Sequence, residues 1–232
     1  MKAQTHIQVK SQYIKPRMKD YYNKLYDFFQ ANNINTVWDI GCAAGDFAWY
    51  GPKGIQYYCT DVSADLIDIA KKTRASSNIE YSVQDLLSAD LPSKHFDAAC
   101  ILGVLTAFND PELVLKKVAQ RTNKYIIGHL TLNPNPWDML VSHKRSSEST
   151  DSYQNSYNIF SEETIRRILN DCGFKTIALE RFYMTTKLEK TDSSELRSYH
   201  ATYDNDLCAL NQLNILLKDY ILIAEKSFGD NS

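Results

Sequence analysis

Residues 36–46 read Thr-Val-Trp-Asp-Ile-Gly-Cys-Ala-Ala-Gly-Asp. The apolar run Thr36 to Ile40 carries one acid and has the length and β-branched content of a short buried strand. It runs without a spacer into a turn of the form G-x-A-x-G. Small residues in such a turn let a ligand lie close to the backbone, because no side chain holds it away.

The flanking chain alternates between helix-like and strand-like runs. Residues 16–31 place Met18, Tyr21 or Tyr22, Leu25, Phe28 and Phe29 at helical spacing, with Pro16 suited to a first turn. Strands are expected at 55–60, 79–83, 96–102 and 124–130. A helix is expected at 63–74, capped by Ser63, and another at 111–120, opened by Asp110 and Pro111. Strands alternating with helices imply a parallel α/β sheet covered on both faces, with ligands bound beyond the C-terminal strand ends.

The last third differs. Residues 133–158 are polar and serine-rich and read as a long, lid-like loop. A helix capped by Ser161 and ended by Gly173 follows, then two strands. Between those strands, Leu196, Tyr199, Tyr203, Leu207, Leu210, Leu213 and Leu217 recur at three-to-four spacing, which predicts a helical insertion at 187–217.

Length and charge narrow the function. A chain of 232 residues suffices for one sizeable domain, and 26 Lys and Arg against 28 Asp and Glu give a net charge of −2. That balance gives no global attraction to nucleic acid or anionic lipid, so neither is an expected partner. No apolar signal core and no membrane-spanning run is present, so a cytoplasmic location is expected. Cys42, Cys59, Cys100, Cys172 and Cys208 are odd in number and form no C-x-x-C pair, so reduced thiols and no metal site are expected.

The glycine turn departs from a dinucleotide fingerprint, because Asp46 stands at the third-glycine position and a carboxylate there repels phosphate. A cationic ligand without phosphate suits an acidic loop better. Asp61 lies 20 residues after Gly41, at the end of the second strand, where a carboxylate can accept both hydroxyls of a ribose. Asp85 follows the third strand, where it can accept from an adenine amine while the Leu86 N–H donates to a ring nitrogen. Asp39 can favour an ammonium group by charge. Three acids past three consecutive strands describe a site for an adenosyl group attached to an amino acid. Structural roles compete with each: Asp46 as a helix cap, Asp39 as a fixer of the turn, Asp85 as the cap of a following turn.

At this point the sequence resembles the class I S-adenosylmethionine-dependent methyltransferases of small-molecule type. The resembling segments are VWDIGCAAGDF, YYCTDVSADLIDIAKK, SVQDLL and FDAACILGVLTAFNDPELVLKKVAQ in order, with YNIFSEETIRRILNDCGF further on. The resemblance implies a Rossmann-like, doubly wound, seven-stranded, mostly parallel sheet with an antiparallel last strand. It implies S-adenosylmethionine as cofactor and S-adenosylhomocysteine as product. Carried onto this chain, Gly41, Cys42, Ala43 and Gly45 line the methionine side near Asp39, and Asp61 holds the ribose. Val62 packs on adenine, Asp85 and Leu86 read its edge, and Leu102 and Gly103 lie beside the sulfonium. Ala43 replaces the middle glycine of the family's loop, a small-for-small change, and the segment before the second strand leaves room for only a one- or two-turn helix.

Methyl transfer from a sulfonium is an in-line displacement. A hydroxyl acceptor needs a general base within hydrogen-bond reach, whereas an amine can rely on positioning. His129, at the end of the fifth strand, is the best-placed base by type and position. Its competing reading is a packed strand-end histidine. His143 falls in the lid-like loop, and Thr106 and Ala107 cannot act as bases. Among the 15 tyrosines, Tyr13, Tyr153 and Tyr157, with Trp137, are candidate contacts for a small acceptor, whereas Tyr21 and Tyr22 match a core-facing stripe. Residues 1–34 are expected to form an arm and helix covering the active site of a 35–232 methyltransferase domain. The loop and the insertion could form a lid or a subunit contact, including that of a homodimer. The reading is therefore a methyltransferase acting on a hydroxyl of a small molecule. An N-methyltransferase, an RNA or protein methyltransferase, and a non-catalytic cofactor-binding homologue are the alternatives.

Overall fold

The computed structural model describes residues 16–88, 90–144, 154–155, 157–183, 187–190, 199–203, 206–211 and 213–227. The chain begins with α1 (Pro16–Ala31), then β1 (Thr36–Ile40), α2 (Asp46–Tyr50), β2 (Gln56–Asp61), α3 (Ala64–Thr73) and β3 (Ile79–Val83). After these come β4 (Phe96–Leu102), α4 (Pro111–Ala119), β5 (Thr122–Asn133), β6 (Ser142–His143), β7 (Gln154–Asn155) and β8 (Phe160–Ser161). The remainder is α5 (Glu162–Asp171), β9 (Phe174–Arg181), β10 (Tyr199–Tyr203), β11 (Asp206–Leu210), β12 (Leu216–Leu217) and β13 (Asp219–Lys226).

The central sheet has the order β3-β2-β1-β4-β5-β13-β9, with the two-residue β8 added beside β5. All its pairings are parallel except those of β13, which is antiparallel to both β5 and β9. The seven-stranded main path and its antiparallel last strand are therefore as the family resemblance implies. Because side chains alternate along each strand, register decides which residues share a face. Asp39 lies level with Cys59 on one side and Cys100 on the other, and Leu102 lies level with His129. These residues face the layer that buries Tyr21, Tyr22, Leu25, Tyr26 and Phe29 of α1, Phe47 of α2 and Ile67 of α3. Trp38 and Ile40 point the other way, into a core shared with Val114, Leu115 and Val118 of α4 and Ile165, Ile168 and Leu169 of α5.

Local chemistry sets the helix ends. Ser63 accepts from Leu66 N–H at 3.4 Å, Asp110 from Leu113 N–H at 2.9 Å, and Ser161 from Thr164 N–H at 3.1 Å. Lys71 and Lys72 occupy the last turn of α3, where cations suit the helix dipole. Among the described residues, no helix is long and apolar enough to cross a membrane.

Three expectations are corrected. Within the expected helical insertion at 187–217, the described residues instead form a small antiparallel sheet, β10-β11-β12, in which Tyr199 pairs with Leu210 and Leu210 with Leu216. The leucine spacing fits a helix, but Asn211 breaks it: its side chain accepts from the N–H groups of Leu213 and Ile215, and Asn214 takes a left-handed φ of 57°. Cross-strand pairing then buries Ala209 and Leu217 against Ile159. The fifth strand also runs to Asn133 rather than Leu130, so His129 lies within it, level with the end of β4. The 133–158 segment is not wholly irregular. β6 pairs with β7, and Met139 bridges Ile159.

Asn158 is the knot of that segment. Its buried side chain accepts from Val141 N–H at 3.0 Å and donates to Phe108 O and Asn109 Oδ1, both at 2.8 Å. Its own N–H donates to Thr106 O at 2.8 Å. One side chain thus ties both limbs of the loop to the segment that follows β4.

Candidate functional site

The first turn leaves β1 with left-handed steps at three alternate residues, Gly41 (φ 68°), Ala43 (φ 52°) and Gly45 (φ 79°). Gly41 N–H and Cys42 N–H both donate to Thr60 O, at 2.8 and 3.0 Å, which clamps the turn to the end of β2. The glycines are required by packing as well as by φ. A Cβ on Gly41 would come within 2.3 Å of Val104, and one on Gly45 within 2.6 Å of Tyr81. At Gly103 (φ 75°), as at Gly54 and Gly173, a Cβ would meet nothing within 4 Å among the described residues. Ala43 has no such freedom and bears the strain of a left-handed conformation.

Asp61 is held in place by backbone donors. One carboxylate oxygen accepts from Ala43 N–H and the other from Ser63 N–H, each at 2.9 Å. Each oxygen keeps lone-pair capacity for a second donor. Val62 follows it with 71% exposure, an apolar face turned to solvent. Asp85 uses one oxygen to accept from Leu87 N–H at 2.8 Å, the competing turn-capping role, while its exposed carboxylate retains a second oxygen. Leu86 beside it is buried.

Asp39 is 2% exposed, and its Oδ2 is buried without a hydrogen-bond partner among the described residues. Burial, then the charges of Asp61 and Asp46, push its carboxyl from an ordinary 3.8 up to about 7, opposed by a hydrogen bond from the Cys59 thiol. Burial likewise raises the Cys59 and Cys100 thiols on either side of it, so these are inert, and all five cysteines are free. Asp46 does not supply the helix cap: Gly45 occupies that position, and Asp46 forms an ion pair at 3.2 Å with the buried Arg74.

Beyond β4, Gly103 N–H donates to His129 O at 2.8 Å, which joins the turn after β4 to β5. The His129 imidazole stacks on Tyr21 with centroids 4.6 Å apart and planes 3° apart. Phe182 meets it edge-on at 5.5 Å. Tyr21 is buried in the α1 stripe, as its periodicity indicates, but nothing in that periodicity reveals which ring it faces. Asn158 also carries no sequence signal, since a lone asparagine before a strand forms no pattern.

The structure brings Asp39, Gly41, Cys42, Ala43, Gly45, Asp61 and Val62 together around the β1–β2 edge, with Leu102, Gly103 and His129 across β4. Trp137 lies on the loop stem at 71% exposure, and Tyr157 packs beside Ile159 and Ala209. Tyr13 and Tyr153 lie outside the described residues. No group of metal-ligating side chains is found among the described residues.

These features suit an adenosyl group carried by a cationic amino acid. Asp39 offers a buried carboxylate oxygen in need of a donor, Asp61 offers two pre-set acceptors, Val62 an exposed apolar face, and the Gly103 turn an unfilled approach to the backbone. An acidic turn of this kind is a poor seat for a pyrophosphate.

Comparison with known proteins agrees. A family model described as a methyltransferase domain matches residues 12–179. No curated protein matches the sequence. Among solved structures, the fold is similar to that of magnesium protoporphyrin IX methyltransferase from Synechocystis PCC 6803 with bound S-adenosylmethionine. That likeness has a TM-score of 0.55 at 16% identity, covering 90% of this chain and 80% of that one. An S-adenosylmethionine-dependent methyltransferase from Clostridium acetobutylicum is similar with a TM-score of 0.58 at 10% identity, covering 90% and 92%. The 1,6-didemethyltoxoflavin-N1-methyltransferase of Burkholderia thailandensis gives 0.58 at 13% identity, covering 89% and 78%. With its family match spanning most of its length and its sheet order and acidic glycine turn in place, the chain belongs to the class I S-adenosylmethionine-dependent methyltransferases.

Proposed function

We propose that this enzyme methylates a hydroxyl oxygen of a small molecule, with His129 as general base. When bound, S-adenosylmethionine supplies the activated methyl group and is converted to S-adenosylhomocysteine. Asp61 is assigned to the ribose hydroxyls, Asp85 and the Leu86 N–H to the adenine edge, and Val62 to the adenine face. Asp39, with the turn from Gly41 through Cys42 and Ala43 to Gly45, is assigned to the methionine amino group. Leu102 and Gly103 are assigned to the reacting end.

The observation that carries the acceptor reading is the position of His129. It is level with Leu102, and its carbonyl holds Gly103 N–H. A neutral imidazole there can take the hydroxyl proton as the oxygen attacks and pass it to solvent after transfer. α1 and the limbs tied by Asn158 are assigned to cover the cleft and exclude water, with Trp137 and Tyr157 on the acceptor side.

The test is a screen of small alcohols, phenols and amines for S-adenosylhomocysteine formation, with His129→Ala and Asp61→Ala in parallel. Hydroxyl methylation that falls at least ~100-fold in His129→Ala supports the reading. Turnover of an amine that survives His129→Ala would overturn it in favour of N-methylation, which positioning alone can support. Calorimetry in which Asp61→Ala binds S-adenosylmethionine as tightly as the parent chain would overturn the ribose assignment.

A further inference from the structure

Register fixes where His129 sits but not how its ring is turned. Leu102 lies on one side of it and Ile221 on the other, and its carbonyl accepts from Gly103 N–H. None of these contacts restrains the two side-chain torsions of the imidazole. The rings around it do. Tyr21 lies parallel to the imidazole, and Phe182, directly after β9, stands perpendicular to both, 5.8 Å from Tyr21 and 5.5 Å from His129. A ring held on one face by a parallel partner and on its edge by a perpendicular one cannot turn without losing both contacts.

Tyr21 is itself held. It is 3% exposed, and its ring meets Tyr22 edge-on at 4.7 Å. Tyr22 in turn lies within the electrostatic reach of Asp39. Successive residues of α1 therefore lie one against the proposed base and the next near the buried acid. Farther along α1, Lys24 forms an exposed ion pair with Glu180 of β9.

We infer that Tyr21, backed by Phe182, is the positioning residue that holds the His129 imidazole in its working orientation. The inference rests on the reading of His129 as the base. Orientation matters because misplacing a catalytic group by about 1 Å can cost on the order of a hundredfold in rate. A leucine at position 21 could fill the same core volume but could not offer a parallel face. A phenylalanine could.

The experiment compares Tyr21→Phe, Tyr21→Leu and Phe182→Leu by steady-state kinetics and by the proton NMR signals of the His129 ring, assigned through His129→Ala. In Tyr21→Leu, kcat should fall roughly 10- to 100-fold with little change in KM, and the ring signals should lose the displacement that a stacked aromatic face imposes. Tyr21→Phe should restore both. Should Tyr21→Leu fail to fold, Phe182→Leu, at a half-buried position, should move the same signals and lower kcat in the same sense. A folded Tyr21→Leu with unchanged ring signals and kcat would overturn the inference, as would a Tyr21→Phe damaged as badly as Tyr21→Leu. Undiminished turnover in His129→Ala would overturn the base assignment instead, and the spectra, which need no acceptor, would still decide whether the clamp exists.

Discussion

Replacing Asp39 by asparagine removes a titrating group while keeping its shape. In the folded protein the Asp39 carboxyl titrates at about 7, against an ordinary 3.8, chiefly because it is buried. Between those two pH values the folded chain holds a proton that the unfolded chain has released. Raising the pH across this window therefore removes stability, and above pH 7 no more is lost. A displacement of about three pH units corresponds to about 4 kcal/mol. Urea unfolding of the ligand-free parent and of Asp39→Asn, repeated from about pH 4 to about pH 8, isolates this contribution in their difference. Parent stability minus variant stability should fall by about 4 kcal/mol over that range and then level off. A cation beside Asp39 favours its charged form, so S-adenosylmethionine should bind the parent more tightly as pH rises toward about 7, with proton release below it. Asp39→Asn should flatten that dependence. A stability difference constant to within about 1 kcal/mol across the same range would refute the account of Asp39 as a buried, unsatisfied acid.

Further substitutions test the remaining pieces. Ala43→Gly should raise stability by about 0.5–1 kcal/mol in denaturant titrations, since relief of the left-handed strain outweighs the extra freedom of glycine in the unfolded chain. Asp61→Ala should weaken S-adenosylmethionine binding at least ~100-fold by calorimetry, because it removes two acceptors already aimed by Ala43 and Ser63 N–H. Arg74→Met should cost about 3–5 kcal/mol in thermal or urea unfolding, because Asp46 would keep its buried charge without this cation. Asn158→Ala should cost about 2–4 kcal/mol and open the 133–158 segment to limited proteolysis, since Val141 N–H, Phe108 O and Asn109 Oδ1 all lose their partner.

Features set by near neighbours along the chain are legible in the amino-acid sequence alone. Strand β1 running into Gly41 and Gly45, the Ser63, Asp110 and Ser161 caps, and the acids Asp39 near the end of β1, Asp61 at the end of β2 and Asp85 after β3 all depend on residues within a few positions of one another. Their order along the chain is enough to imply the sheet and the cofactor. The 187–217 stretch misleads because leucine spacing alone cannot tell a helix face from a folded hairpin. The deciding group there is the Asn211 side chain, which commits its oxygen to Leu213 and Ile215 N–H. Sequence can place His129 near the ends of β4 and β5 but cannot show its ring against Tyr21, 108 positions earlier, nor Asn158 bonded to Phe108 O, 50 positions away. Nor can it show that Val104 and Tyr81 fill the space beside Gly41 and Gly45, or that Asp39 Oδ2 is left without a donor. Local propensity and capping act over one helical turn, whereas register, ring packing and desolvation arise only when distant segments meet, and those are the terms that shape this site.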